Sequence, residues 1–263
     1  MTASVNPRCT ECLLIVGGKY HDFDFARLEL LKLLAQDEHV RTRVFENFEA
    51  VDAIEHADFL VSYTCDVVPS RAAQEAIRRF VERGGRFFAL HGTNSILRIK
   101  AGGPVETPDL APDFMDTLGA SFAAHPPIGA YRVDVTQPNH PLCAGLEPFE
   151  VTDELYLTRA RATIDVLLHV NYGGTAPNFA DSDWPQAAYP VLYLRSLGRG
   201  HVLYFTLGHC RGHHDLRPLS DWWPTVDRCS WNAPAFMQLL RRGIAWASAN
   251  GNEHTGENHE ART

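Results

Sequence analysis

The stretch Phe80-Val81-Glu82-Arg83-Gly84-Gly85-Arg86-Phe87-Phe88-Ala89-Leu90-His91-Gly92 decides how this chain is built. Behind Ser70, a favoured N-cap, Ala73, Ile77, Phe80 and Val81 fall on one helical face, and Gly84-Gly85 ends the helix. Arg86–Leu90 then reads as a short buried strand that stops at His91-Gly92. Upstream the same alternation recurs. Leu13–Val16 is a strand closed by Gly17-Gly18. Phe25, Leu28, Leu31 and Leu34 mark a helix from Asp24 to about Glu38, and Arg41–Phe45 and Phe59–Tyr63 are further strands. Strands alternating with helices build βαβ units. The expected fold is a doubly wound α/β sheet with most strands parallel.

Downstream the pattern loosens. Ala101–Asp113, with Gly102, Gly103, Pro104, Pro108 and Pro112, is expected to be a loop, and Pro138–Pro141 a turn. Tyr131–Val135 and Ile164–Val170 are strand candidates. Asn171–Pro185, rich in Gly, Pro, Asn and Asp, reads as an exposed loop. Val191–Ser196 and His201–Thr206 flank Leu197-Gly198-Arg199-Gly200 and predict a hairpin. Pro234–Ala247 is an amphipathic helix carrying Phe236, Leu239, Leu240 and Ile244.

The 263 residues, 45% hydrophobic and 21% charged, suit one globular domain over residues 1–249. Residues 250–263 contain no apolar side chain larger than alanine and are expected to be disordered. The net charge of -8 and the lack of a Lys/Arg stripe argue against a nucleic-acid partner. No apolar run approaches the roughly 20 residues of a membrane span. The polar start, Met1–Cys12, has no secretory core, so a cytoplasmic location is expected. The six cysteines are then expected as free thiols, with Cys9-x-x-Cys12 lacking the second pair of a zinc knuckle.

In open α/β sheets ligands bind beyond the carboxyl ends of the strands. His21 follows the first strand, Thr64-Cys65 the third, His91 the fourth and His209 the second strand of the hairpin. Phe87–Thr93 resembles a nucleophile elbow, but the presented residue is an imidazole rather than a hydroxyl or thiol. His91 is therefore expected to act as a general base or metal ligand, with no covalent acyl chemistry. His21 and His209 are expected to join it, as co-ligands of a divalent ion such as zinc or as groups that polarise a carbonyl. Asp153-Glu154-Leu155-Tyr156 offers two carboxylates to bind hydroxyls or relay a proton, and a phenol to stack on a sugar ring. Tyr20, Thr64, Cys65, Thr93, Tyr156 and Trp222 are candidate substrate contacts. The bland readings are a structural imidazole at each turn, a capping Asp, a solvated His213-His214 loop and tryptophans buried in the core.

The chain resembles the ThuA-like (trehalose utilisation) family of the class I glutamine amidotransferase-like superfamily. The resemblance lies in Val16-Gly17-Gly18 with His21-Asp22, Gly84-Gly85 through Ala89-Leu90-His91-Gly92, Asn139-His140-Pro141-Leu142, Asp153–Tyr156 and Gly200 through Thr206-Leu207-Gly208-His209. It implies a flavodoxin-like three-layer sandwich and a role in sugar catabolism, beside dehydrogenases that make 3-keto-glycosides. It also implies that His91 stands where amidotransferases carry a nucleophilic cysteine, so glutamine hydrolysis is not expected. The expectation is an enzyme acting on a sugar or keto-sugar by hydrolysis, elimination or isomerisation. Its partner would be a carbohydrate-derived small molecule, no nucleotide or flavin is expected, and a homo-oligomer is admissible. The rival is a non-catalytic sugar- or metabolite-binding protein on the same fold.

Overall fold

Strand β1 (Thr10–Gly18) is buried along its apolar run and opens the fold. The computed structural model describes residues 9–99 and 102–249. The expected disorder of residues 250–263 lies outside them. After β1, Asp22 caps α1 (Phe23–Leu34), its Oδ1 accepting the Phe25 N–H at 3.0 Å. The helix stops short of the expected Glu38. Next come β2 (Val40–Phe45), α2 (Val51–His56) and β3 (Phe59–Cys65), the last buried along its whole length. Ser70 caps α3 (Arg71–Glu82) through an Oγ that accepts the Ala73 N–H, and β4 (Arg86–Leu90) leads into a 3-10 turn at His91–Asn94.

The middle of the chain holds β5 (Arg98–Ile99), β6 (Val105–Glu106), α4 (Pro112–Leu118), β7 (Ala120–Ala124), β8 (Gly129–Val135), β9 (Phe149–Asp153) and β10 (Leu157–Ala160). The expected loop at Ala101–Asp113 thus ends in a helix. Pro112 sits in the first turn of α4, where its missing N–H costs no bond. Then follow β11 (Asp165–Thr175), β12 (Asp183–Leu197), β13 (Gly200–Phe205) and α5 (Pro234–Ser248). Asn171–Pro185 is largely exposed, as its composition predicts, but it is a loop only over 176–182. Most of it is an antiparallel ribbon of β11 and β12, with register shifts between Tyr172 and Gly174 that accommodate the glycines.

Nine strands form one sheet in the order β2-β1-β3-β4-β13-β12-β11-β8-β9. From β2 to β13 every pairing is parallel, and from β13 to β9 every pairing is antiparallel. The sheet is therefore mixed, a correction to the mostly parallel sheet expected. Tight turns, Gly198-Arg199 among them, let neighbouring strands reverse direction without a crossover helix. Packing is in layers. Leu14, Val16, Val61 and Leu90 share a core with α1 and α5 on one face. Leu13, Ile15, Leu60, Phe87 and Ala89 share another with α2, α3 and α4. Alternation along each strand sends successive side chains into opposite cores. The chain leaves β1 for β2 on one side and returns to β3 on the other. The carboxyl ends of β1 and β3 thus flank a crevice at the switch in strand order.

Candidate functional site

Four carboxyl-side segments meet at this crevice. His91 ends β4 in a left-handed turn with φ 44°, a conformation that costs a non-glycine residue energy and persists only where the surroundings enforce it. Tyr204 supplies part of that enforcement. Its hydroxyl donates to the His91 carbonyl at 2.5 Å and accepts the Asn94 N–H at 2.8 Å. Gly92 packs so closely on β3 that a Cβ there would lie 2.6 Å from the Thr64 carbonyl oxygen. Tyr20 (φ 73°) and Asp66 (φ 56°), which follow β1 and β3, are also left-handed.

These turns bring three imidazoles and a carboxylate together. His21, His91, Glu154 and His209 are buried, and one ligand atom from each lies within 4.8 Å of the others. His21 Nε2 is 3.0 Å from His91 Nε2 and 3.3 Å from His209 Nδ1. Glu154 lies 3.1 Å from His209 Nδ1 and 3.5 Å from His91 Nε2. Two of the outward nitrogens are occupied elsewhere. His91 Nδ1–H donates to the Thr206 carbonyl at 2.8 Å, and His21 Nδ1 faces the Lys19 carbonyl at 3.3 Å. His209 Nε2 is buried without a hydrogen-bond partner and stands 3.9 Å from Asp227. The inward nitrogens of His91 and His21 are thereby left as the lone-pair atoms, an arrangement usual for metal-bound histidine. Two imidazole nitrogens bound tetrahedrally at ~2.0–2.1 Å would stand roughly 3.3 Å apart. The donor set fits that spacing, so the group could hold a metal.

Without an ion the cluster pairs internally. Burial by itself would raise the Glu154 carboxyl, yet the charges of His125 and His209 and hydrogen bonds from His209 and His91 hold it well below the usual range. Burial would lower His209, but Glu154 and Asp227 raise it to about 9. His21 is pushed well down by burial, then by its two imidazole neighbours.

A cavity of about 400 Å³ opens above this group. His21, Glu154 and Tyr156 line it, while His91 and His209 lie beneath, fully buried. The Tyr156 hydroxyl is 3.2 Å from His91 Nε2. Tyr20 and Cys65 also reach the lining, Cys65 as a thiol whose pKa burial drives well up.

Other expected contacts lie elsewhere. Thr93 is buried with its hydroxyl on the Leu90 carbonyl at 2.8 Å, and Thr64, also buried, is outside the lining. Trp222 is an exposed side chain stacked on His213 at 4.2 Å, and its neighbour Trp223 lines the cavity instead. Asp153 and Glu154 diverge because β9 ends between them. The buried Asp153 carboxylate accepts the N–H groups of Glu154, Gly208 and His209 at 2.7, 2.9 and 3.1 Å, so it positions the His209 turn and does not face the cavity. Cys9 and Cys12 are free thiols, one exposed and one buried.

Two titratable lining residues, His125 and Arg211, escaped the sequence reading. His125 follows β7 directly, as His91 follows β4, and its Nε2 is 3.5 Å from Glu154. The apolar run Phe122-Ala123-Ala124 was the available signal. Arg211 stacks on Trp223 at 5.2 Å and approaches Glu154 at 3.8 Å, and nothing in its local sequence marks it.

A model of the ThuA family, described as trehalose utilisation, matches residues 13–216. The chain belongs to the ThuA family. ThuA-like proteins of known structure share the architecture at low identity. One from Parabacteroides merdae is 16% identical, with a TM-score of 0.60 over 92% of this chain and 90% of that one. One from Bacteroides uniformis is 16% identical, with a TM-score of 0.61 over 93% and 94%. A β-galactosidase from Rahnella contains a similar unit (TM-score 0.53, 12% identity) over 94% of this chain but 31% of its own. At these identities the likeness shows the fold alone. No curated protein matches. Among the described residues of this ThuA chain, no helix is long and apolar enough to cross a membrane.

Proposed function

We propose that this ThuA chain is an enzyme of carbohydrate catabolism acting on a sugar or keto-sugar derivative, with elimination next to a ketone as the reaction its site suits best. The observation that carries the reading is the buried His21–His91–Glu154–His209 group under an open cavity at the carboxyl edge of the sheet. A divalent ion of the zinc type held by these four residues would supply a Lewis acid for a carbonyl oxygen. The chain's own groups do the rest. His125 donates its Nδ1–H to the Pro126 carbonyl at 2.7 Å, which leaves Nε2 beside Glu154 as the atom that holds or moves a proton. Tyr156, with its hydroxyl near His91, orients a polar group of the substrate, and Arg211 adds positive charge beside it. A ketone makes the adjacent C–H acidic: the base takes that proton, a C=C bond forms as the C–O bond to the leaving group breaks, and the departing oxygen takes a proton back to leave as an alcohol.

The test is metal analysis of the purified protein combined with turnover of 3-oxo-glucosides. One bound divalent ion per chain is expected in the parent protein. His91→Ala, with unchanged far-UV circular dichroism, is expected to lose both metal and turnover. Unchanged turnover in folded His91→Ala removes this residue from the chemistry. A metal-free parent that binds the sugar tightly and forms no product is the result that favours the binding-protein reading.

A further inference from the structure

The cavity lining combines two chemically different groups of side chains. His21, His125, Glu154, Tyr156 and Arg211 are polar, and His125 and Arg211 stand 3.5 and 3.8 Å from Glu154. An apolar wall is built by Leu97, Ile99, Val105, Phe179, Leu216 and Leu219, and the two groups meet where the Phe179 ring lies 4.9 Å from that of His125. The wall residues come from three separate parts of the chain. Leu97 and Ile99 lie after the His91 turn, Val105 is bridged to Phe179 of the β11–β12 connection, and Leu216 and Leu219 belong to the segment after His209. Asn178 interrupts this wall. Leu219 lines the cavity while 48% exposed, so this wall is open to solvent at that residue.

A disaccharide seated across the whole cavity would set one hydroxylated ring against leucine, isoleucine and phenylalanine. Those hydroxyls would lose water and find few partners, which disfavours binding. A cavity of this size matches the ~300–1,000 Å³ of pockets that enclose a ligand larger than one small ring. We infer that the substrate is a glycoside of one sugar ring joined to an apolar, ring-bearing aglycone. The sugar faces the His/Glu group and the aglycone lies on the Leu97–Leu219 wall. This rests on the reading of the site as a sugar site, and it argues against an unsubstituted disaccharide as the preferred ligand.

The test is calorimetric titration of the full-length protein with 4-nitrophenyl α- and β-glucopyranoside, the matching methyl glucosides, trehalose and free 4-nitrophenol. One 4-nitrophenyl glucoside is expected to bind about tenfold or more tighter than its methyl counterpart and than trehalose. Leu219→Asp and Ile99→Asp are each expected to erase most of that preference, read as the ratio of aryl to methyl glucoside affinity within the same variant. Leu219 is half exposed, so at least that variant is expected to fold. Trehalose or methyl glucoside binding as tightly as the aryl glucoside overturns the inference and leaves the sugar site standing. Free 4-nitrophenol binding as tightly as its glucosides, or no binding by any glucoside, also overturns this inference, while turnover of 3-oxo-glucosides decides the sugar site separately.

Discussion

The Nε2 atoms of His21 and His91 face each other across 3.0 Å. Both rings have their Nδ1 atoms on backbone carbonyls, so two neutral imidazoles would aim lone pair at lone pair. Such a contact needs a hydrogen or a metal ion between the two nitrogens, and a neutral ring that turned its N–H inward would give up its carbonyl partner.

A metal ion in that place would make folding stability depend on it. Any ion that binds the folded chain alone stabilises it, by ~2.7 kcal/mol at a hundredfold excess over Kd. Zinc or another divalent ion is expected to raise the Tm in differential scanning fluorimetry, and a chelator to lower it. His21→Ala should make the Tm insensitive to both. A parent protein indifferent to every divalent ion tested would count against a metal at this group.

The three N–H groups held by Asp153 tie the end of β9 to the His209 turn. Asp153→Asn keeps the volume but removes a charged acceptor, and it places N–H₂ against backbone N–H. A loss of about 2–4 kcal/mol in urea unfolding is expected. Because His209 moves with that turn, metal affinity should fall too. A loss below ~0.5 kcal/mol would mean that the turn is held by other contacts.

Gly92 is required by proximity rather than by its dihedral angles. Its added Cβ would meet the Thr64 carbonyl at 2.6 Å and Cys65 Cβ at 2.9 Å, neither on a flexible side-chain end. Gly92→Ala is expected to cost about 1–3 kcal/mol and to displace His91. Denaturation with parallel metal analysis checks both effects, and a variant as stable as the parent would show that β3 yields at no cost.

Thiol reactivity should separate the cysteines. Burial raises Cys210 to about 12 and Cys143 to about 11, and drives Cys12, Cys65 and Cys229 upward as well. A raised thiol pKa means less thiolate at a given pH, so these five stay unreactive at pH 8. Cys9 is exposed. Alkylation at pH 8 followed by mass spectrometry is expected to label Cys9 first and the others only in denaturant. Rapid labelling of Cys65 in the native protein would mean that the cavity floor opens.

The repeated pattern of buried strand, glycine, then helix from Leu13 to Leu90 determined the parallel half of the sheet, because period and punctuation are local properties of the chain. The same logic placed His21, His91 and His209 at strand ends. Strand partnership is not local. The antiparallel half, with β9 and the β11–β12 ribbon, depends on hydrogen bonds between distant segments, as does the separate β7–β10 pair, and these override a composition that reads as loop. Only the tertiary structure decided that Glu154 turns inward while Asp153 turns away, and that His125 joins the group while Trp222 stays outside. Neighbours in sequence diverge across a strand end, and residues 70 or 188 positions apart meet because the switch in strand order leaves a crevice for them to share.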